Sequence, residues 1–283
     1  MKDKSKAKRI VSADGLNIYY WVNWNKSLTK VFNVLHPGSS MNHSSLESIE
    51  KGLAERKHPA ITFDPRGQGY SDAPAQKDFY QLERYSNDLQ RIIEQEGIEK
   101  PEFVTHSSGF MPVVNYAAKT ENADLIIGIC ASPKFSETTP NKVLFHIFNR
   151  GLRYADYLGA LGMKISDALK GKTTKYPDQS DLEGKSDFDV WKKIVNIPFE
   201  RTRVNTVSGS QIIKWDIANQ LSYLSTPLLL IYGGDDTMVR PVAGEYIRLL
   251  VKGHCNVEVI EGSHSLPINK PQNVLEIIDK YAK

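Results

Sequence analysis

The chain has 283 residues, 40% of them hydrophobic and 24% charged, with a formal net charge of +3. That length allows one large or two modest domains, and the apolar share supports a sizeable core. A charge this small, part of it in the Lys2–Arg9 cluster, implies no nucleic-acid partner, and no apolar run approaches the ~18–20 residues of a membrane span. The N-terminus is basic but lacks the apolar segment of a secretion signal, so a cytoplasmic location is expected. Two cysteines, Cys130 and Cys255, both in apolar strand-like surroundings, argue against a disulfide framework.

In chain order, strands are predicted at about residues 10–12 and 16–22, around the turn Asp14-Gly15. Further strands are predicted near 31–35, 60–63, 102–105 and 125–130, alternating with helical patterns. Such alternation implies a mostly parallel sheet flanked by helices, an α/β protein. The helix predicted over about 81–95 places Leu82, Tyr85, Leu89, Ile92 and Ile93 on one face. Between Pro133 and Pro227 the alternation stops and helical patterns follow one another. Phe145, Phe148, Met163, Trp191 and Trp215 are the candidates there for lining a pocket. Beyond it, the continuous apolar run Pro227–Tyr232 reads as a strand buried on both faces, and a short strand is predicted at about 257–260.

The chemistry sits at the strand ends. Phe103-Val104-Thr105-His106-Ser107-Ser108-Gly109 is an apolar run that turns sharply into a helical pattern continuing through Lys119. Such a turn holds its apex residue in a strained conformation, exposed above the sheet edge, with backbone N–H groups at the helix start. Gly109 puts Ser107 rather than Ser108 at the apex. Thr105 stands where the G-x-S-x-G pattern has its first glycine. The run 227–232 ends in Gly233-Gly234-Asp235-Asp236, and the strand near 257–260 ends in Glu261-Gly262-Ser263-His264. Ligand sites in open parallel sheets lie beyond the strands' carboxyl ends, so serine, carboxylate and histidine are expected to meet there. A serine hydroxyl needs a base to take its proton, and His264 is the candidate. Asp236 or Asp235 would hold the imidazole's other nitrogen.

Together with these motifs, His36-Pro37-Gly38-Ser39-Ser40 and Phe63-Asp64-Pro65-Arg66-Gly67-Gln68-Gly69-Tyr70-Ser71-Asp72 make the chain resemble a capped α/β-hydrolase, from about Asn17 to Tyr281. The resemblance implies a core at residues 1–133 and 226–283 with a helical cap inserted at 134–225. It selects Asp236 over Asp235, as the acid three residues beyond Gly233. It also implies an oxyanion hole built from the N–H of Ser108 and one from Gly38 or, second, Ser39, because Pro37 has no N–H. The expected activity is cleavage of an ester with a small or medium apolar acyl group through an acyl-enzyme. The alternatives are a carbon–carbon, thioester or amide bond cleaved by the same machinery, or a binding protein on the scaffold without turnover. Epoxide hydrolases and dehalogenases carry aspartate at the elbow, so Ser107 disfavours them.

No cofactor is expected. His43, His58, His146 and His254 lack partners at metal-ligand spacing, so no metal is expected either. His36 and His106 are expected to brace loops, and Arg66 to buttress its own loop rather than pair with a substrate anion. The expected partner is a small apolar ester-like molecule, with self-association left open.

Overall fold

The computed structural model describes residues 2–23, 33–39, 41–134, 183–186 and 199–281. Its centre is an eight-stranded sheet in the order β1-β2-β4-β3-β5-β6-β7-β8. The strands are β1 (Lys8–Val11), β2 (Asn17–Asn23), β3 (Asn33–His36), β4 (Ala60–Phe63), β5 (Glu102–His106), β6 (Leu125–Ile129), β7 (Leu228–Gly233) and β8 (Cys255–Ile260). The β1–β2 hairpin and the β2–β4 pair are antiparallel, and every later pairing is parallel. The expected mostly parallel sheet is therefore present. The first strand lies earlier than its apolar residues indicated, because Lys8 and Arg9 pair with Tyr20 and Tyr19 while pointing to solvent.

Helices cover both faces because each central strand is buried on both. All residues of β3 to β7 are buried, as parallel strands sandwiched between helices require. One apolar cluster joins the sheet to α2 (Leu82–Glu96), α3 (Phe110–Thr120), α4 (Phe199–Ile212), α5 (Ala218–Tyr223) and α6 (Val242–Leu250). A second packs the opposite face under α1 (Glu47–Glu55), α7 (Leu266–Asn269) and α8 (Pro271–Tyr281). In α2 the buried residues are Leu82, Tyr85, Ser86, Asp88, Leu89, Ile92 and Ile93, the predicted face with two polar members added.

The interval 134–225 lies largely outside the described residues, as do Phe145, Phe148, Met163 and Trp191. Its described helices, α4 and α5, pack into the first cluster through Val204, Val207, Ile212 and Leu221. Cys130 and Cys255 are not joined in a disulfide.

Arg66 is buttressed on every side. Its Nε and Nη2 donate to the two oxygens of Asp88 at 2.7 Å each. Nη1 donates to Asp14 and to the Phe79 carbonyl at 2.8 Å, and Nη2 also reaches Asp14 at 3.2 Å. These contacts use all five guanidinium donors, and the side chain is 1% exposed. The next loop residue of consequence, Asp64, is equally enclosed. Its carboxylate accepts from the amides of His43 and Tyr70 and from the His43 ring at 2.7 Å.

Candidate active site

The elbow has the geometry its sequence implies. Ser107 follows β5 with φ +52°, in the left-handed region where a side chain costs about 1–3 kcal/mol. The structure tolerates that strain because α3 is buried from Phe110 to Ala117 and β5 is paired on both edges. Gly109 is needed for a steric reason, since a Cβ there would lie 2.5 Å from the Pro37 carbonyl oxygen and 2.6 Å from that of His36. Thr105, the departure from pattern, is accommodated sideways. Its hydroxyl donates to the Ile127 carbonyl on neighbouring β6 at 2.9 Å.

The other two strand-end loops are stitched to each other. Gly234 N–H donates to the Ile260 carbonyl and Asp235 N–H to that of Gly262, at 2.8 and 2.9 Å. Gly233 permits this approach, as a Cβ would stand 2.3 Å from the Gly262 oxygen. On the far side, the His106 ring donates through Nε2 to the His264 carbonyl at 2.9 Å. The loop carrying His264 is thus held from two directions, and His106 braces it.

These constraints bring Ser107, His264 and Asp236 together. The Ser107 hydroxyl lies 3.1 Å from His264 Nε2, and His264 Nδ1 lies 2.8 Å from Asp236 Oδ2. The other Asp236 oxygen accepts from the amides of Met238 and Val239 at 2.7 and 2.8 Å. Burial pushes the Asp236 carboxyl up, but the His264 ring and the two amides outweigh it and hold it below the usual carboxylate range. An ionised carboxylate with one oxygen fixed to backbone and the other facing Nδ1 dictates that Nδ1 carries hydrogen, leaving Nε2 as a lone pair toward the serine. Asp235, by contrast, projects to solvent. The arrangement can move a proton from an alcohol to an imidazole and return it to a leaving group.

Ser108, Gly38 and Ser39 line one small hollow of about 10 Å³. Pro65, Gln68, Tyr85, Ile212 and Trp215 form its other described walls, with His36 and Pro37. Of the residues singled out between Pro133 and Pro227, Trp215 is among those lining it. Gln68 and Tyr85 were not anticipated there: the first sat in a loop read as structural, the second on a helix face read as core. His106, Cys130 and His264 each bring one ligand-type atom within 4.8 Å of the others. Both ring nitrogens of His264, however, are already engaged by the serine and the aspartate.

His36 carries a measurable consequence for stability. Burial pushes it down to about 4, a pull that hydrogen bonds to the carbonyls of Pro37 and of His36 itself only partly offset. Its free-chain value is about 6.5, so the unfolded chain takes up this proton first as pH falls. The stabilisation is complete above pH ~6.5 and is lost progressively toward pH ~4, by about 3 kcal/mol in total. Denaturant unfolding of the protein and of His36→Asn at a series of pH values will show a shallower acid-side decline in the variant. Equal slopes would contradict the assignment.

A model of the α/β-hydrolase fold matches residues 34–271. Two relatives by sequence are a proline iminopeptidase of Elizabethkingia meningoseptica, 23% identical with 78% of each chain covered, and a 3-oxoadipate enol-lactonase of Acinetobacter baylyi, 23% identical with 80% of this chain and 79% of that one covered. Among solved structures, an esterase from Exiguobacterium antarcticum superposes with a TM-score of 0.73 at 18% identity, covering 96% of this chain and 98% of its own. Among the described residues, no helix is long and apolar enough to cross a membrane. With the matched segment spanning most of the sheet, both of its helical layers and all three strand-end loops, the chain belongs to the α/β-hydrolase fold family.

Proposed function

We propose that the protein is a serine hydrolase that cleaves carboxylic esters of small or medium acyl groups. The observation that carries this reading is the linear array Ser107–His264–Asp236, at 3.1 and 2.8 Å, with the serine on a strained turn. In the proposed cycle the Ser107 oxygen attacks the ester carbonyl as His264 Nε2 takes its proton. Asp236 holds the resulting imidazolium. The carbonyl oxygen, now an anion, is received by the N–H of Ser108 and by one from Gly38 or Ser39. Collapse of the adduct breaks the bond to the alcohol, which leaves with the proton from His264. Water, giving a proton to the same nitrogen, then releases the acid and restores the serine. Residues 134–225 are proposed to cap the strand ends.

An ester bond is supported by the esterase and enol-lactonase among the proteins it resembles. The iminopeptidases keep an amide bond as the second reading. The test is to treat the purified protein with a fluorophosphonate probe and, separately, with p-nitrophenyl butyrate. Labelling at Ser107 with many turnovers of the ester is the expected outcome. Labelling without turnover would favour a ligand-binding protein, and failure to label would deny an activated serine.

A further inference from the structure

The segment Lys2–Lys4, ahead of β1, is pinned to the core through both side chains and backbone. The Lys2 ammonium donates to Glu50 on α1 and, at 3.0 Å, to the Thr62 hydroxyl on β4. The Glu50 side chain is 4% exposed, so this ammonium supplies a cation to a buried carboxylate. The Lys2 carbonyl accepts from the Tyr70 hydroxyl at 3.4 Å, and the Asp3 carbonyl from the Trp21 indole at 3.1 Å. Lys4 lies over the rings of Tyr19 and Tyr70, 4.6 and 5.4 Å from their centroids.

The backbone of this segment also closes on a histidine. Lys2 N–H donates to His43 Nε2 at 3.2 Å, while His43 Nδ1 faces the Asp64 carboxylate at 2.7 Å. The carboxylate keeps hydrogen on Nδ1 and leaves Nε2 as the acceptor that the amide needs. The pair has the make-up of His264 with Asp236, but its outer nitrogen meets an amide rather than an alcohol. It therefore anchors and activates nothing. Trp21 packs on the ring, with centroids 4.2 Å apart. His43 in turn ends the loop that carries Gly38. The Gly38 carbonyl accepts from the Met41 amide at 3.2 Å, and Asn42 caps the short 3-10 helix that begins at His43. With residues 39–42 alone between them, a displaced His43 is felt at Gly38.

Resting on the hydrolase reading above, we infer that Lys2 is a positioning residue for the oxyanion hole. Its ammonium seats the segment on Glu50 and Thr62, its amide seats His43, and His43 fixes the loop from which Gly38 or Ser39 gives the second N–H. A donor of this kind works by being aimed before charge develops, and losing one outright costs about 10²–10³ in rate. Loosening its support is expected to cost about tenfold, on kcat rather than KM, because these N–H groups grip the tetrahedral adduct more than the ester.

Lys2→Met deletes the ammonium, and Lys2→Met with Glu50→Gln also removes the buried charge left behind. The single variant is expected to unfold more readily, and the double variant to regain most of that stability. With p-nitrophenyl butyrate, both are expected to show kcat about tenfold lower per fluorophosphonate-labelled serine, with KM within about twofold. Inhibition by 1,1,1-trifluoropentan-2-one, whose adduct with Ser107 carries the same oxyanion, is expected to weaken about tenfold in both. A purely structural role would move stability alone, so kcat unchanged in both variants, or restored in the double one, would overturn the assignment. Hydrogen exchange of peptides covering residues 37–46 reads the loop without turnover. It is expected to quicken in both variants while β5 and α3 exchange as before. Absence of ester turnover in the unaltered protein sinks the hydrolase reading alone, since loop exchange still decides the anchoring. Turnover with unchanged loop exchange sinks the anchoring alone.

Discussion

Ser107→Ala is expected to lower ester turnover on the order of 10⁶-fold while leaving the fold intact. The hydroxyl is the only group removed, and it faces His264 Nε2 at 3.1 Å. Without it no acyl-enzyme forms, and the residual rate comes from oxyanion stabilisation and binding alone. His264→Ala is expected to cost about as much, because an alcohol deprived of its base is almost as inert as no alcohol. The two losses should not add, since each abolishes the same step. Single-turnover rates with p-nitrophenyl butyrate, alongside unfolding curves, measure both. A Ser107→Ala protein retaining more than about one per cent of activity would place the nucleophile elsewhere, with neighbouring Ser108 the first suspect.

Asp236→Asn is expected to lower kcat on the order of 10⁴-fold, and Asp235→Asn to change it no more than a few-fold. An amide at position 236 can turn its NH₂ toward His264 Nδ1, which then must accept. Hydrogen moves to Nε2, so the imidazole points a donor rather than a lone pair at Ser107. The Met238 and Val239 amides reinforce this outcome, because they require an oxygen at the other position. Asp235 makes no such contact: its side chain is exposed, and its role is the backbone bond to the Gly262 carbonyl. Comparing kcat for the two variants decides between adjacent carboxylates, and a larger loss at position 235 would reverse the assignment.

Much of this arrangement was legible in the sequence because its parts are local. A strand end followed by a loop bearing one reactive residue needs only an apolar run and a turn, and β5, β7 and β8 each supply both. The antiparallel β1 was misplaced because its pairing follows the Asp14-Gly15 hairpin register rather than its own apolar residues. Contacts between distant residues left no local mark. The pairing of His43 with Asp64 spans 21 positions, and that of Arg66 with Asp14 spans 52. Nor could Thr105 be judged in advance. Whether it fits depends on a carbonyl from another strand, Ile127, lying where its hydroxyl can reach. Tyr85 and Gln68 escaped notice as cavity walls because residues lining a pocket obey the same periodicity as residues filling a core.

The five donors of Arg66 have an outcome for how this protein could diversify. A guanidinium that far from water keeps its charge, so Asp14, Asp88 and the Phe79 carbonyl must remain in register with it. Its neighbours Pro65 and Gln68 are thereby anchored to a foundation that tolerates little drift. Ile212 and Trp215, which also line the hollow, lie beside a weaker anchor, the partly exposed ion pair of Lys134 with Asp216 at 2.8 Å. Mutational drift or directed evolution toward new substrates should therefore accumulate at these two positions, while the Arg66 loop stays fixed.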